Sequence, residues 1–166
     1  AFVFTECTAG SGDDTIVLPA GGVLMMSTII DDAHNYMGPT ATPIIFSNIT
    51  IEANGSRLEH APNGINFRAF AIGNASIQLP NGSTVSGTGN LTIRNAYIKG
   101  FTVKGGNGGT GGGGGMGAGG AIYVNNGDLT VDSSTFEANG AEGGRGGLGR
   151  AGGGGGLAGN GGTAGI

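Results

Sequence analysis

The side chains that could carry acid–base or metal chemistry are few in this chain and lie far apart. The eleven carboxylates form only two adjacent pairs, Asp13-Asp14 and Asp31-Asp32. Neighbouring residues of a strand point to opposite faces, so neither pair alone makes the two-carboxylate site that glycoside hydrolysis requires. His34 and His60 have no partners at metal-ligand spacing, which argues against a zinc site. We therefore expect no catalytic residue, no bound metal and no cofactor.

Charge and cysteine usage exclude several other functions. The formal net charge is -4 and only seven Lys and Arg residues are present, so the chain offers no basic surface for nucleic acid. No run of about 18 apolar residues occurs, so we expect no transmembrane helix. Cys7 is the only cysteine and cannot form a disulfide within the chain. It is either a buried inert thiol or an intermolecular bridge in an assembly.

Five Asn-x-Ser/Thr sequences are candidate glycosylation sites, at Asn48, Asn54, Asn74, Asn81 and Asn90. On an exported protein of an archaeon or a eukaryote, these asparagines are real candidates for glycan attachment. The alternative is that Asn corners placed before Thr-rich strands produce the pattern with no modification. The absence of extra mass on the intact chain would remove the glycan interpretation.

An internal repeat organises the chain. Residues 89–100 and 127–138 share the order Gly, Asn or Asp, Leu, Thr, β-branched, polar, and residues 48–55 repeat the opening half. Apolar and polar residues alternate within each copy, which predicts a strand. The copies recur at intervals of about 40 residues, roughly twice the length of one β-helix coil.

Short strands and glycine-rich corners favour a solenoid. Strand-like segments of three to six residues end at Gly, Asn or Pro, and no helical period lies between them. We predict an all-β, right-handed parallel β-helix in which Leu, Ile, Val and Phe stack inward. Asn-Gly pairs suit its corners because they adopt left-handed backbone angles, although they also suit hairpin turns. The five pairs are Asn54-Gly55, Asn63-Gly64, Asn81-Gly82, Asn126-Gly127 and Asn139-Gly140.

Two segments, 105–120 and 140–165, are rich in glycine, with Asn, Thr, Met, Arg, Leu and Ala among the interruptions. They are either loops at the solenoid corners or polyproline-II chains packed side by side, since missing side chains let backbones approach. No Gly-Lys-Ser/Thr follows either tract, which argues against phosphate binding. We divide the chain into a β-helix domain at 1–140, with a glycine-rich insertion at 105–120, and a glycine-rich segment at 141–166.

The stretches 12–21, 48–55, 119–124 and 129–140 resemble those of a known group of surface proteins. This group comprises the right-handed β-helix proteins of bacterial and archaeal surfaces with a Cys-Ser-Leu-Arg-Glu-Ala type N-terminal domain, and polymorphic outer-membrane protein repeats. The segment Glu6–Gly10 departs from them because it lacks the Leu-Arg-Glu-Ala residues. The resemblance implies surface display for adhesion or for an extracellular layer, and it implies no particular reaction.

We therefore expect a structural protein of the cell surface or extracellular space, a protomer or fragment of a self-assembling filament, sheath or large adhesin. Its partner would be another copy or the rest of a longer chain, through Phe2, Val3, Phe4 and Cys7. The alternative is a discrete adhesin module that binds a carbohydrate or another cell-surface receptor. A second alternative is a polysaccharide-degrading domain. The absence of an initiator Met and of a basic leader fits a processed, exported chain.

Overall fold

The chain is all-β in the computed structural model, which describes residues 12–30, 35–78 and 81–148. Alternating apolar residues and frequent glycines give short strands, most of three to six residues, and no helix occurs among the described residues. Their bounds are β1 Asp13–Val17, β2 Val23–Met26, β3 Asn48–Glu52, β4 Arg57–His60, β5 Phe70–Ile72, β6 Asn74–Gln78, β7 Thr84–Arg94, β8 Tyr97–Lys99, β9 Thr102–Lys104, β10 Ile122–Val124, β11 Gly127–Asp132, β12 Thr135–Glu137 and β13 Gly140–Glu142.

Parallel pairing between successive coils builds the fold. One sheet has the strand order β1-β3-β7-β11, and a second has the order β12-β8-β4-β2. Two smaller parallel pairs, β5 with β10 and β9 with β13, complete the sides. The coils stack as a β-solenoid of about three turns, which confirms the predicted architecture. The expected coil length was wrong, because β3 pairs directly with β7 and β7 with β11, so one interval of the sequence repeat is one coil and not two. The right-handed twist of the coil path stays a prediction.

The core is a set of inward rows that run from coil to coil. Ile51 pairs with Ile93 in the first sheet, and Leu58 pairs with Ile98 in the second. These four side chains are between 0% and 4% exposed. Since each inward residue rests on an apolar residue of the next coil, the narrow interior is filled without helices.

Stacked corners connect the two main sheets. Asn54, Asn95 and Ser133 occupy equivalent places in successive coils and have positive φ values of 51°, 53° and 47°. The amide of Gly55 donates to the carbonyl of Asn95 at 2.7 Å. This confirms Asn54-Gly55 as a corner, because Asn tolerates the left-handed conformation better than most residues.

The pair Asn81-Gly82 was wrongly predicted as a coil corner. Strand β6 pairs antiparallel with residues 84–88 of β7, so Asn81-Gly82 lies in the loop of a hairpin. The hairpin interrupts the solenoid between its second and third coils. The remainder of β7, residues 89–94, rejoins the first sheet.

Candidate functional surfaces

The outward face of the first sheet carries three straight rows of side chains. Because its strands pair in register, equivalent residues of four coils line up. The first row is Asp13, Asn48, Asn90 and Asp128; the second is Thr15, Thr50, Thr92 and Thr130; the third is Val17, Glu52, Arg94 and Asp132.

The first row is bonded to itself. Nδ2 of Asn48 donates to Oδ1 of Asp13 at 2.6 Å, and Nδ2 of Asn90 donates to Oδ1 of Asn48 at 2.7 Å. The amide of Asp128 donates to Oδ1 of Asn90 at 3.1 Å. These contacts tie four coils together, so the row stabilises the stack and leaves few of its polar atoms for a ligand.

The rows beside it differ in how their polar groups are used. In the third row, Arg94 and Glu52 form an ion pair at 2.5 Å, and this hydrogen bond raises the pKa of Arg94. In the second row, the four threonine hydroxyls form no hydrogen bond to other described residues. The threonine row therefore presents regularly spaced hydroxyls to solvent.

The hydrogen bonds divide the five candidate glycosylation asparagines into two groups. The amide nitrogens of Asn48 and Asn90 are engaged in the first row, and that of Asn54 donates to the carbonyl of Leu18 at 2.9 Å. Asn74 and Asn81 belong to the hairpin and are exposed. Their modification stays a prediction, and the hairpin is where a glycan would disturb the coil contacts least.

The hairpin forms one wall of a small cleft against the first row. The cleft holds about 280 Å³ between residues 85–88 on one side and residues 12–13 and 46–48 on the other. The polar residues along it are Asp13, Ser47, Asn48, Ser86 and Thr88. Phe46 and Val85 provide apolar surface, and the lining contains no Lys or Arg.

The outward face of the second sheet is covered by charge pairs and stacked rings. The guanidinium of Arg57 contacts Glu59 at 2.6 Å and lies 4.0 Å from the ring centre of Tyr97. Lys99 pairs with Glu137 at 2.7 Å, and the hydroxyl of Tyr97 donates to the same carboxylate. Such exposed pairs contribute little each. The Lys99–Glu137 pair and the Arg57–Tyr97 contact link successive coils, whereas the Arg57–Glu59 pair lies within β4.

The glycine tracts lie against each other as hydrogen-bonded extended chains, here named the glycine bundle (residues 105–118 and 142–148). In the first pass, residues 105–111, every third amide donates to a carbonyl of the next coil. These bonds run from Gly105 to Glu142, from Gly108 to Arg145 and from Gly111 to Leu148, over 2.7–2.8 Å. The return pass, residues 112–118, accepts hydrogen bonds at the same interval. The amide of Gly144 donates to the carbonyl of Gly115, and the amide of Gly147 donates to the carbonyl of Gly112.

Close backbone contact in the glycine bundle leaves no room for side chains at every third residue. A Cβ on Gly144 would lie 1.9 Å from the carbonyl oxygen of Gly106, and one on Gly147 would lie 1.6 Å from that of Gly109. The neighbouring Gly143 has room, since its nearest atom would be 3.7 Å away. Further crowded positions recur at Gly105 and Gly108, and at Gly114, Gly117 and Gly120.

Side chains of the glycine bundle occur only where they can point outward. The two larger residues of the first pass, Asn107 and Thr110, are matched 38 residues later by Arg145 and Leu148. The amide of Arg145 donates to Oδ1 of Asn107 at 3.0 Å, and Leu148 is 90% exposed. The bundle is therefore continuous with the coil repeat of the solenoid.

Arg68 is the only charged side chain buried in the described core. Its Nε donates to the carbonyl of Ala118 and its Nη1 to the carbonyl of Met37, both at 2.8 Å, while Nη2 has no partner. Its guanidinium lies 5.3 Å from the ring centre of Tyr123, and burial lowers the pKa of Arg68. Arg68 thus clamps the end of the glycine return pass to the segment that contains Met37.

The residues considered for chemistry are not brought together. His60 packs 4.3 Å from the ring of Phe67, and its Nε2 lies 2.7 Å from the carbonyl oxygen of Ile65, so it is a packed structural residue. Within residues 12–30, 35–78 and 81–148, no three acidic, His or Cys side chains could hold a metal ion together. Asp31, Asp32, His34 and the expected assembly contacts Phe2, Val3, Phe4 and Cys7 lie outside the described residues.

Comparison with family models, curated proteins and solved structures gives no match for this chain. The resemblance to bacterial and archaeal surface β-helix proteins therefore stays a prediction. In the part of the chain that the structure describes, no helix is apolar and long enough to cross a membrane.

Two features, the hairpin cleft and the Arg68 clamp, went unrecognised in the sequence, whereas side-by-side packing of the glycine tracts was one of the two alternatives. The hairpin cleft depends on an antiparallel pairing that the Asn-Gly pattern alone does not distinguish from a corner. The clamp of Arg68 has no local signal, because its partners are carbonyls 31 and 50 residues away. The glycine bundle did leave a signal, since Asn107, Thr110, Arg145 and Leu148 are spaced by three within each pass.

Proposed function

We propose that the chain is a structural protein of the cell surface or extracellular space, a protomer or fragment of a self-assembling filament, sheath or large adhesin. The observation that carries this proposal is the glycine bundle, in which successive hydrogen bonds fall three residues apart. The side-chain rows that stack successive coils also support the proposal. Among the described residues, no cluster of groups could bind a metal ion.

The three-residue interval favours the polyproline-II conformation for the glycine bundle. Parallel and antiparallel strands bond at two-residue intervals, whereas a polyproline-II chain has three residues per turn. Chains of this kind pack closely only where glycine recurs at the crowded positions, as in the collagen triple helix. Glycines without room for a Cβ recur at every third residue, as this packing requires, so the tracts are suited to a stiff, side-chain-poor rod.

Self-assembly, or stacking on further coils, is supported by the last described coil. Val131 and Phe136 occupy the inward rows of Ile93 and Ile98, yet they are 43% and 42% exposed, whereas Ile93 and Ile98 are 1% and 0% exposed. A further coil, from the same chain or from a second copy, would bury these residues. The parallel edges beside them carry backbone groups suited to adding a strand.

Electron microscopy of the untagged full chain in negative stain tests the structural proposal. We expect regular filaments or sheets of stacked solenoids, under reducing and non-reducing conditions if Cys7 is inert, and only without reductant if Cys7 bridges copies. Discrete single particles at every concentration and in both conditions would overturn self-assembly as the function.

A discrete ligand-binding module is the second candidate, and the hairpin cleft favours it. A monomer that binds a glycan saturably and forms no polymer would support this candidate over the first. A polysaccharide-degrading function would need turnover of an acidic polysaccharide, which the lining of the cleft does not favour because it lacks cations.

A further inference from the structure

The five Asn-Gly pairs of this chain are not chemically equivalent, because the fold holds their side chains differently. In such a pair, the glycine nitrogen can attack Cγ of the asparagine, since glycine has no Cβ to hinder the approach and adopts many backbone angles. The reaction requires a side-chain amide and a glycine nitrogen that are free to move. Hydrogen bonds from either group therefore protect a pair.

Two corner pairs are held at both reacting groups. Nδ2 of Asn139 donates to the carbonyl of Ile98 at 2.9 Å. The amide of Gly140 donates to the carbonyl of Phe101, also at 2.9 Å. In the pair Asn54-Gly55, both groups likewise donate to carbonyls of neighbouring coils, at 2.9 and 2.7 Å. In neither pair can the glycine nitrogen reach Cγ unless these bonds break.

The other two pairs outside the hairpin are each restrained at one group. The amide of Ile65 donates to Oδ1 of Asn63 at 3.0 Å, and Nδ2 of Asn63 donates to the carbonyl of Ser27 at 2.6 Å. In the pair Asn126-Gly127, the glycine is the first residue of β11 and pairs in register with β7, which opposes rotation of its backbone.

The pair Asn81-Gly82, in the hairpin loop, is free at both reacting groups. Both residues are exposed, and neither Nδ2 of Asn81 nor the amide of Gly82 has a hydrogen-bond acceptor among the described residues. Movement of the glycine nitrogen and loss of the side-chain amide therefore break no hydrogen bond to the described solenoid.

Ser83 contacts the carbonyl group that would be attacked. Its amide donates to Oδ1 of Asn81 at 3.0 Å, and its hydroxyl donates to the same oxygen at 2.7 Å. These bonds fold the Asn81 side chain along the peptide that contains the Gly82 nitrogen. They also polarise the Cγ–Oδ1 bond and stabilise the negative charge that Oδ1 acquires during attack.

We propose that Asn81 is a site of spontaneous deamidation promoted by Ser83. The Gly82 nitrogen forms a bond to Cγ of Asn81, the Cγ–Nδ2 bond breaks, and the proton of the Gly82 amide leaves with Nδ2 as ammonia. Water then opens the five-membered imide at either carbonyl, which leaves aspartate or isoaspartate and adds one negative charge to the loop. The reaction removes the candidate glycosylation asparagine, and it is independent of both candidate functions.

Peptide mass spectrometry of the full chain, made in a host without N-glycosylation, tests the proposal. In mildly alkaline buffer made with oxygen-18 water, the new carboxyl group takes up the heavy oxygen, which marks conversion by this route. We expect Asn81 to convert about tenfold faster than Asn54 or Asn139, because each of those must first break two hydrogen bonds. In denaturant, the three asparagines should convert at similar rates.

Two variants test the role of Ser83. Ser83→Ala removes one of the two donors to Oδ1, and we expect conversion of Asn81 to slow about threefold. Ser83→Thr keeps the hydroxyl and should keep the parent rate. Conversion of Asn81 no faster than that of Asn139, in a chain that circular dichroism shows to be folded, would overturn the site. An unchanged rate in Ser83→Ala would overturn the role of Ser83.

Discussion

At the scale of single residues, Arg68 shows how this fold tolerates a buried charge without a carboxylate. In place of water, its guanidinium contacts two carbonyl oxygens and an aromatic ring. Arginine suits this place because its planar fork can bond two acceptors at fixed angles. Leaving Nη2 without a partner costs free energy. The two hydrogen bonds of Arg68, which link segments that are remote in sequence, offset that cost.

We expect Arg68→Met to lower the free energy of unfolding by about 1–3 kcal/mol, because the carbonyls of Met37 and Ala118 would be left buried and unpaired. Denaturant unfolding followed by circular dichroism measures this change. The control Arg57→Met removes an exposed pair with Glu59, and we expect a change within about 0.5 kcal/mol. An Arg68→Met protein as stable as the parent would show that the hydrogen bonds of Arg68 make no net contribution to the free energy of unfolding.

The ion pair between Lys104 and Glu142 changes the pKa of the Glu142 carboxyl, and this change can be measured. The hydrogen bond from Lys104 at 2.8 Å lowers the pKa of the Glu142 carboxyl, and the charge of Lys104 adds to this effect. A lowered folded-state pKa contributes stability above the unfolded pKa of Glu142, and this contribution is lost as pH falls through the folded value. Both side chains are exposed, so salt will weaken the effect.

We expect Lys104→Met to raise the pKa of Glu142 towards its ordinary value, as followed by carbon-13 NMR of the carboxyl group. Lys99→Met serves as the control, since Lys99 pairs with Glu137 in the second sheet and should leave Glu142 unchanged. If the pKa of Glu142 is the same with and without Lys104, the ion pair does not persist in solution.

At the scale of elements, glycine acts here as a packing residue. In the glycine bundle, the crowded positions recur every third residue, while the positions between them have room. Glycine costs more backbone entropy on ordering than any other residue. The hydrogen bonds between passes and the close van der Waals contacts of the backbones offset that cost.

Paired alanine substitutions test this spacing rule. We expect Gly144→Ala to destabilise the protein by about 1–3 kcal/mol, because its Cβ would overlap the carbonyl oxygen of Gly106. Gly143→Ala adds the same methyl group where 3.7 Å is free, and we expect it to be neutral or slightly stabilising. Thermal unfolding compares the two variants. Equal melting temperatures would contradict the crowded packing of the glycine bundle.

Most elements of the solenoid could be predicted from the sequence, because alternating apolar residues fix which face of a strand is buried. Leu91 and Ile93 are in the core as their spacing implies, and the repeat correctly aligns them with Leu129 and Val131. The hairpin could not be predicted in this way. Its pairing depends on which strands meet in space, and Asn-Gly suits both outcomes.

At the scale of the whole molecule, the solenoid and the glycine bundle are joined into one packed body. Strand β13 runs directly into the glycine bundle, and β9 beside it does the same, so the hydrogen-bonded ladder continues from one into the other. A structural protein gains from such continuity, since a flexible appendage would transmit no force. Units that are packed together unfold together, and their amides then exchange with similar free energies.

Native-state hydrogen exchange of the full chain, resolved by NMR, tests this claim most directly. We predict that the bonded amides of Gly108, Gly111 and Gly144 are protected to about the same free energy as those of Ile93 and Ile98 in the core. Unbonded glycines between them should exchange faster, which gives a three-residue pattern. Glycine amides that all exchange at the rate of an unfolded chain, beside a protected solenoid, would contradict a packed bundle and the structural function based on it.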